Sequence, residues 1–224
     1  KVRGVLWYQG ERDAVLAQSA EYSPRFQAFI ESLRRDFQQP NLPFYYVQLG
    51  RFVVDSEVMR SRNLATNVFR QHWNAVQNTQ RLLERTSAYN GMVASVDLEL
   101  DDIIHISTQG LKTLGYRLAH MACHDLFPRV PACRSSKRGP RPIHTYLDKD
   151  ADQTLYVEFS DVNDRLRSDG RLSGFTLWHS EGLDVPAVVK AYVDPQQANR
   201  VVLELSRKPF SGTTVQYGNG LNPY

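Results

Sequence analysis

Lys1-Val2-Arg3-Gly4-Val5-Leu6-Trp7-Tyr8 opens the chain with a short apolar run that ends at Gly10. A run of this length, bounded by a glycine, suits a strand buried on both faces of a parallel sheet. Tyr22, Phe26, Phe29, Ile30, Leu33 and Phe37 follow at spacings of three and four, which puts them on one face of a helix. Pro40 and Pro43 end that helix. Pro43-Phe44-Tyr45-Tyr46-Val47-Gln48-Leu49 reads as a second strand, residues 64–85 as a long helix, Gly91 to Val96 as a third strand and Thr108 to Cys123 as a third helix. Strand and helix alternate three times, so the expected fold class is α/β, a parallel sheet with helices on its faces.

In such sheets the site lies beyond the carboxyl ends of the strands. Gln9-Gly10-Glu11, Arg51-Phe52 and Asp97 to His105 are therefore expected to converge at one edge. Past residue 152 the texture changes. Alternating stretches at Leu155–Phe159, Leu172–Trp178, Ala187–Val193, Val201–Leu205 and Thr213–Tyr217 are separated by turn signals, among them Ser180-Glu181-Gly182. Short strands at regular spacing predict an antiparallel β-sandwich. The expected division is residues 1–127, a linker at 128–152 rich in proline and arginine, and 153–224.

Composition narrows the function classes. Charged residues make up 23% of 224, and the formal charge of +3 is too mild to point to nucleic acid. The basic concentration at Arg129, Arg134, Lys137, Arg138 and Arg141 is interleaved with prolines and reads as a solvated linker. No apolar run is long enough to span a membrane. Cys123 and Cys133 fit a local disulfide or two free thiols equally well. The buried strand at the first residues implies a chain that begins inside a domain.

Two clusters can do chemistry. In Asp102-Ile103-Ile104-His105 the acid stands three residues before the histidine, in a loop between a strand and a helix. A carboxylate so placed can hold one ring nitrogen and leave the other free as a general base. In Trp7-Tyr8-Gln9-Gly10-Glu11 the glycine permits a close backbone approach, and the Gln9 amide can donate to a developing oxyanion. Arg51, in the loop after the second strand, and Arg70, on the long helix, are candidate substrate contacts with Trp7. His72, His120, His124, His144 and His179 lack a matching acid.

The block Gly4-Val5-Leu6-Trp7-Tyr8-Gln9-Gly10-Glu11 resembles one of the sialate O-acetylesterase family, a branch of the SGNH hydrolases. Asp97-Leu98, Asp102-Ile103-Ile104-His105, Gly110, Gly115, Arg117, Leu118 and Ala119 are similar to that family's last block. Arg70 to Gln80 resembles its helical segment, and Gly174-Phe175, Trp178, Gly182 and Tyr217-Gly218 its C-terminal β-domain. The two main blocks stand in the family's order, about 95 residues apart. The resemblance implies a three-layer αβα (flavodoxin-like) sheet, incomplete at its N-terminal side. It implies a secreted or periplasmic serine esterase that removes O-acetyl groups from sugars, sialic acid first and acetylated xylan as an alternative. His105 would be the base, Asp102 its orienting acid, Gln9 the oxyanion donor, and no metal or organic cofactor would be needed. Glu11 would steady the histidine or its loop. The family's serine block lies upstream of the tryptophan block, and Ser19, Ser23, Ser56 and Ser61 do not stand in such a context. The nucleophile is therefore expected on an N-terminal segment or partner chain. Ile106 stands where the family usually has proline. A non-catalytic glycan-binding piece is the other reading.

Overall fold

A computed structural model of the protein describes residues 2–15, 18–53, 66–179, 184–185 and 187–223. Ser56, Ser61 and the Ser180-Glu181-Gly182 turn lie outside the described residues. The chain divides into two units: residues up to Leu118 together with Gly220–Asn222, and Ala119–Asn219 with Pro223–Tyr224.

The first unit holds β1 (Val5–Trp7), α1 (Glu11–Val15), α2 (Ser19–Asp36), β2 (Phe44–Val47), α3 (Thr66–Leu83), β3 (Asn90–Val93) and the start of α4 (Thr108–Leu126). The strands form a parallel sheet in the order β1-β2-β3, with Val5 beside Phe44 and Tyr46 beside Met92. All four residues of β2 are buried, as a central strand covered on both faces requires. Tyr22, Phe26 and Ile30 of α2 and Phe69, Trp73, Val76 and Leu83 of α3 close one core with Phe44, Tyr46 and Leu49. Phe26 meets Phe44 and Tyr46 edge-on at 5.7 and 5.1 Å, an arrangement that adds about 0.5–1.5 kcal/mol per aromatic pair beyond area burial. The alternating strands and helices match the expected order. The short helix α1 was hidden in sequence because its five residues complete little more than one turn.

The second unit contains two antiparallel sheets. One has the order β4-β5-β9-β8, from β4 (Arg141–Leu147), β5 (Thr154–Ser160), β9 (Arg200–Leu205) and β8 (Val188–Val193). The other has the order β10-β6-β7, from β10 (Thr214–Tyr217), β6 (Phe175–Trp178) and β7 (Asp184–Val185). Leu155, Val157, Leu177, Ala191, Val201, Leu203 and Leu205 form its core, drawn from both sheets.

One expectation is corrected here. The segment 128–152 is not wholly linker, because β4 lies inside it and pairs with β5 from Arg141–Ser160 to Leu147–Leu155. β4 is an edge strand with its middle residues exposed, and its register shifts between Pro142 and His144. An edge tolerates the proline and needs no apolar face, so its sequence reads as loop. The two cysteines form a disulfide, Cys123–Cys133, which ties the end of α4 to the turn Pro131–Cys133.

Candidate active site

The histidine lies on a small hairpin. Leu100 bridges Ile106, Asp101 N donates to His105 O at 2.9 Å, and Ser107 N donates to Glu99 O at 2.8 Å. Between these rungs Asp102 organises the tip. Its Oδ1 accepts from the backbone N–H groups of Ile104 (2.9 Å) and His105 (2.7 Å), and its Oδ2 stands 2.6 Å from His105 Nδ1. Those two backbone bonds and the ring contact hold the Asp102 carboxyl down at about 2. The His105 imidazole is pushed above its ordinary value, first by the hydrogen bond to Asp102, then by the charges of Asp102 and Glu11. With Nδ1–H held by the carboxylate, Nε2 is left to take a proton. Both side chains are well exposed, 74% for His105 and 51% for Asp102, so the pair meets solvent or a ligand directly.

The hairpin is fixed from below. Ser107 is buried and accepts the Gly110 N–H at 3.0 Å, which caps α4. Gly110 is obligatory at this place: a Cβ there would stand 2.5 Å from Ile106 Cγ2 and 2.9 Å from Glu99 O. Arg117, one helical stretch further on, donates to both oxygens of Asp97 (2.8 and 2.5 Å) and to Ala94 O (2.8 Å).

The other strand ends reach the same edge. Gly10 is buried at φ 150°, and a Cβ would meet Val76, Gln80 and Leu49 at 3.1–3.3 Å. Glu11, at the start of α1, acts on both His105 and Tyr8. The Tyr8 hydroxyl is pushed up to about 12 by burial and by Glu11, against a hydrogen bond with Ser95. Ser95 in turn donates to Gln48 O at 2.7 Å. Arg51 donates to Leu98 O at 2.9 Å, and Val53 N donates to Ile103 O at 2.8 Å. The loop after β2 thus meets the histidine hairpin through backbone partners, and Glu11 bears on His105 through its charge.

Individual candidates have distinct places. Gln9 Nε2 donates to Asp13 Oδ2 at 2.8 Å, which leaves its second N–H for another acceptor. Trp7 packs on Phe29 at 4.6 Å, so its ring fills the layer beside α2. Arg51 braces the Leu98 carbonyl, and Arg70 lies half-buried on α3. Ser19, the first residue of α2, has its Oγ 2.7 Å from His72 Nδ1. Sequence reasoning missed the buried amides of α3. Gln80 Oε1 accepts from Leu49 N at 2.8 Å while its Nε2 donates to Gln9 O (3.1 Å) and Tyr22 Oη (2.9 Å). Gln77 Nε2 donates to Leu49 O and Gly50 O at 2.9 and 3.0 Å, and Trp73 Nε1 to Gly50 O at 3.0 Å. Two glutamines three apart on the apolar face of a helix were the available signal. Among the described residues no cluster of histidine, cysteine, aspartate and glutamate could hold a metal ion, and no helix is long and apolar enough to cross a membrane.

Residues 1–124 match the family model described as carbohydrate esterase, sialic acid-specific acetylesterase. Among solved structures, a carbohydrate acetylesterase from Xanthomonas citri is similar over 100% of this chain, at 23% identity and a TM-score of 0.68, and the chain spans 46% of that structure's length. A protein from Arabidopsis thaliana matches 53% of this chain and 43% of its own, at 25% identity and a TM-score of 0.41, too low to bear on the fold. No curated protein matches the chain.

Proposed function

The chain belongs to the carbohydrate esterase, sialic acid-specific acetylesterase family, and from that premise we propose that it carries the base half of a serine esterase that removes O-acetyl groups from sugars. The observation that carries the reading is the 2.6 Å contact between Asp102 Oδ2 and His105 Nδ1 at the carboxyl edge of a parallel sheet. In the reaction a serine hydroxyl passes its proton to His105 Nε2 as its oxygen bonds to the acetyl carbon. The negative oxygen of the tetrahedral intermediate is met by the remaining Gln9 N–H. Collapse breaks the sugar ester bond, and the departing sugar oxygen takes the proton back from Nε2. Water then repeats the cycle on the acetyl-serine, releasing acetate and restoring the hydroxyl. Asp102 and Glu11 lend negative charge to the imidazolium formed midway.

The serine is proposed to lie on an N-terminal segment or on a partner chain. A structural neighbour about twice as long supports that reading. We read the parallel sheet and its helices as the later half of a three-layer αβα SGNH-type domain, and the two antiparallel sheets as a β-sandwich. Acetylated sialic acid is the first proposed substrate on the family description. The Cys123–Cys133 disulfide supports a secreted or periplasmic location, since such bonds persist in oxidising compartments.

The test compares wild type and His105→Ala in the protein carrying the upstream segment, with p-nitrophenyl acetate and O-acetylated sialic acid as substrates. Loss of turnover by a factor on the order of 10⁴ or more is expected, as for removal of a base acting with its nucleophile. Full activity in the variant overturns the reading. Activity sensitive to a serine-reactive phosphonate identifies the nucleophile class.

A further inference from the structure

We propose that Gly220-Leu221-Asn222 is a positioning element for the Asp102–His105 pair, acting through the loop Arg51–Val53. The inference rests on the reading of His105 as the base. These three residues leave the unit that contains Asn219 and belong to the unit that contains the parallel sheet. They are fastened there at each position. Gly220 offers both its backbone groups to one side chain: its N–H donates to Asn74 Oδ1 at 3.0 Å and its carbonyl accepts from Asn74 Nδ2 at 3.1 Å. Leu221 packs against the core cluster that contains Phe52, Phe69 and Trp73. The Leu221 carbonyl accepts the Phe52 N–H at 2.7 Å, and Asn222 Oδ1 faces Arg51 Nη1 at 3.4 Å.

The far side of the same loop holds the histidine hairpin. Val53, one residue after the Leu221 contact, donates its N–H to Ile103 O at 2.8 Å, and Arg51 Nη2 donates to Leu98 O at 2.9 Å. Ile103 lies between Asp102 and Ile104, inside the turn whose N–H groups Asp102 collects. A continuous run of backbone bonds therefore passes from Leu221 through Phe52 and Val53 to Ile103. Phe52 is the pivot, wedged against Phe69 and Trp73 at 4.8 and 5.1 Å. The hairpin tip itself is exposed, so its support comes from this run and from the Ser107 cap below. A misplacement of a catalytic group by about 1 Å costs on the order of 10²-fold in rate, which makes such a support consequential. Gly220 takes φ 113°, where glycine is favoured and where a Cβ would meet nothing within 4 Å.

Two variants test this, Asn74→Ala and deletion of residues 220–224, with Ile30→Val as a control that softens the α2 side of the same core. Each is made in the full chain and followed by NMR titration of the His105 ring, with amide spectra reporting that the fold is kept. Asp102 and Glu11 are the charged groups that act on this ring. Both variants are expected to move the His105 titration down toward that of ordinary histidine, and Ile30→Val to leave it in place. In the protein carrying the nucleophile, kcat should fall by about 10- to 100-fold with KM little changed. An unmoved titration in a folded Asn74→Ala protein, or an equal shift in Ile30→Val, overturns the inference. If His105→Ala keeps full esterase activity, the base reading fails, while a titration shifted in both Asn74→Ala, which also loses the bond to Gln77, and the deletion still establishes the strap.

Discussion

The two units solve the same problem, what to do with polar groups inside, by different chemistry. In the unit of the parallel sheet the buried polar side chains are mostly neutral amides. Gln77, Gln80 and Asn90 are each at least nine-tenths buried; the two glutamines serve backbone groups just past β1 and β2, and Asn90 donates to the Leu83 carbonyl that ends α3. In the other unit the work is done by charge and by a covalent bond. Asp194 binds Arg200 through Nε and Nη2 at 2.6 Å each, Asp125 binds Arg138, and Cys123–Cys133 closes a loop. The difference bears on the histidine. A charge buried near the strand ends would move the His105 titration, whereas an amide fixes geometry without doing so. The acids that do act on the ring, Asp102 and Glu11, raise its proton affinity together.

The sharpest way to break this comparison is Asp102→Asn, which keeps the shape and removes the charge. In the protein carrying the nucleophile it should lower kcat by a factor on the order of 10⁴, and the rise of kcat/KM with pH should move to lower pH. The sign follows from the pair. His105 acts as a base only when neutral, and the raised folded value places that change above the ordinary histidine range. The contact stabilises the folded protein fully below the ordinary histidine value and is lost as pH rises through the raised one. For Asp102 the stabilisation is present above the ordinary carboxylate range and is lost as pH falls toward about 2. A pH–rate profile of wild type and variant checks both; an unchanged profile would show that the exposed acid does not tune the base.

Next in size is the disulfide. It closes a separation of 10 residues, and chain-entropy reasoning gives about 3 kcal/mol for a loop of that order. Thermal unfolding of Cys123→Ser/Cys133→Ser should show that loss in the second unit, with the His105 titration unmoved. A moved titration would break the division of labour between the units. The smaller effect is Gln80→Ala, which orphans the buried Leu49 N–H at a cost of about 1–3 kcal/mol. It sharpens the comparison because its loss should appear in the first unit. Hydrogen exchange at Leu49 is the measurement, and unchanged protection there would remove Gln80 from its bridging place.

Much of this was legible in sequence, for physical reasons. β1 and β2 are short apolar runs, α2 carries five of the six expected apolar residues while Phe37 falls just past its end and is exposed, and Asp102 and His105 pair because they stand three positions apart in one loop. Local periodicity and local contact are what a sequence displays. The strap at Gly220–Asn222 has no local signature, since its partner Asn74 lies 146 residues away. Gln80 looked like one more polar residue on a mixed helix until its three partners, Gln9 just past β1, Tyr22 on α2 and Leu49 just past β2, were in place. β4 was missed for the opposite reason: its exposed edge position leaves no apolar alternation to see.

The contact between His105 and Asp102 and the contact between Gly220 and Asn74 differ in span by a factor of nearly fifty, 3 residues against 146. The first closes a loop almost free of entropy cost and forms as soon as its hairpin does. The second waits until the strands of the antiparallel unit have been synthesised. On the ribosome the acid–base pair is thus made first and held loosely, and the loop Arg51–Val53 receives its backbone partner at Leu221 only after the antiparallel unit has been made. A nascent chain halted after the histidine hairpin would already own the pair, but not the brace that sets its aim.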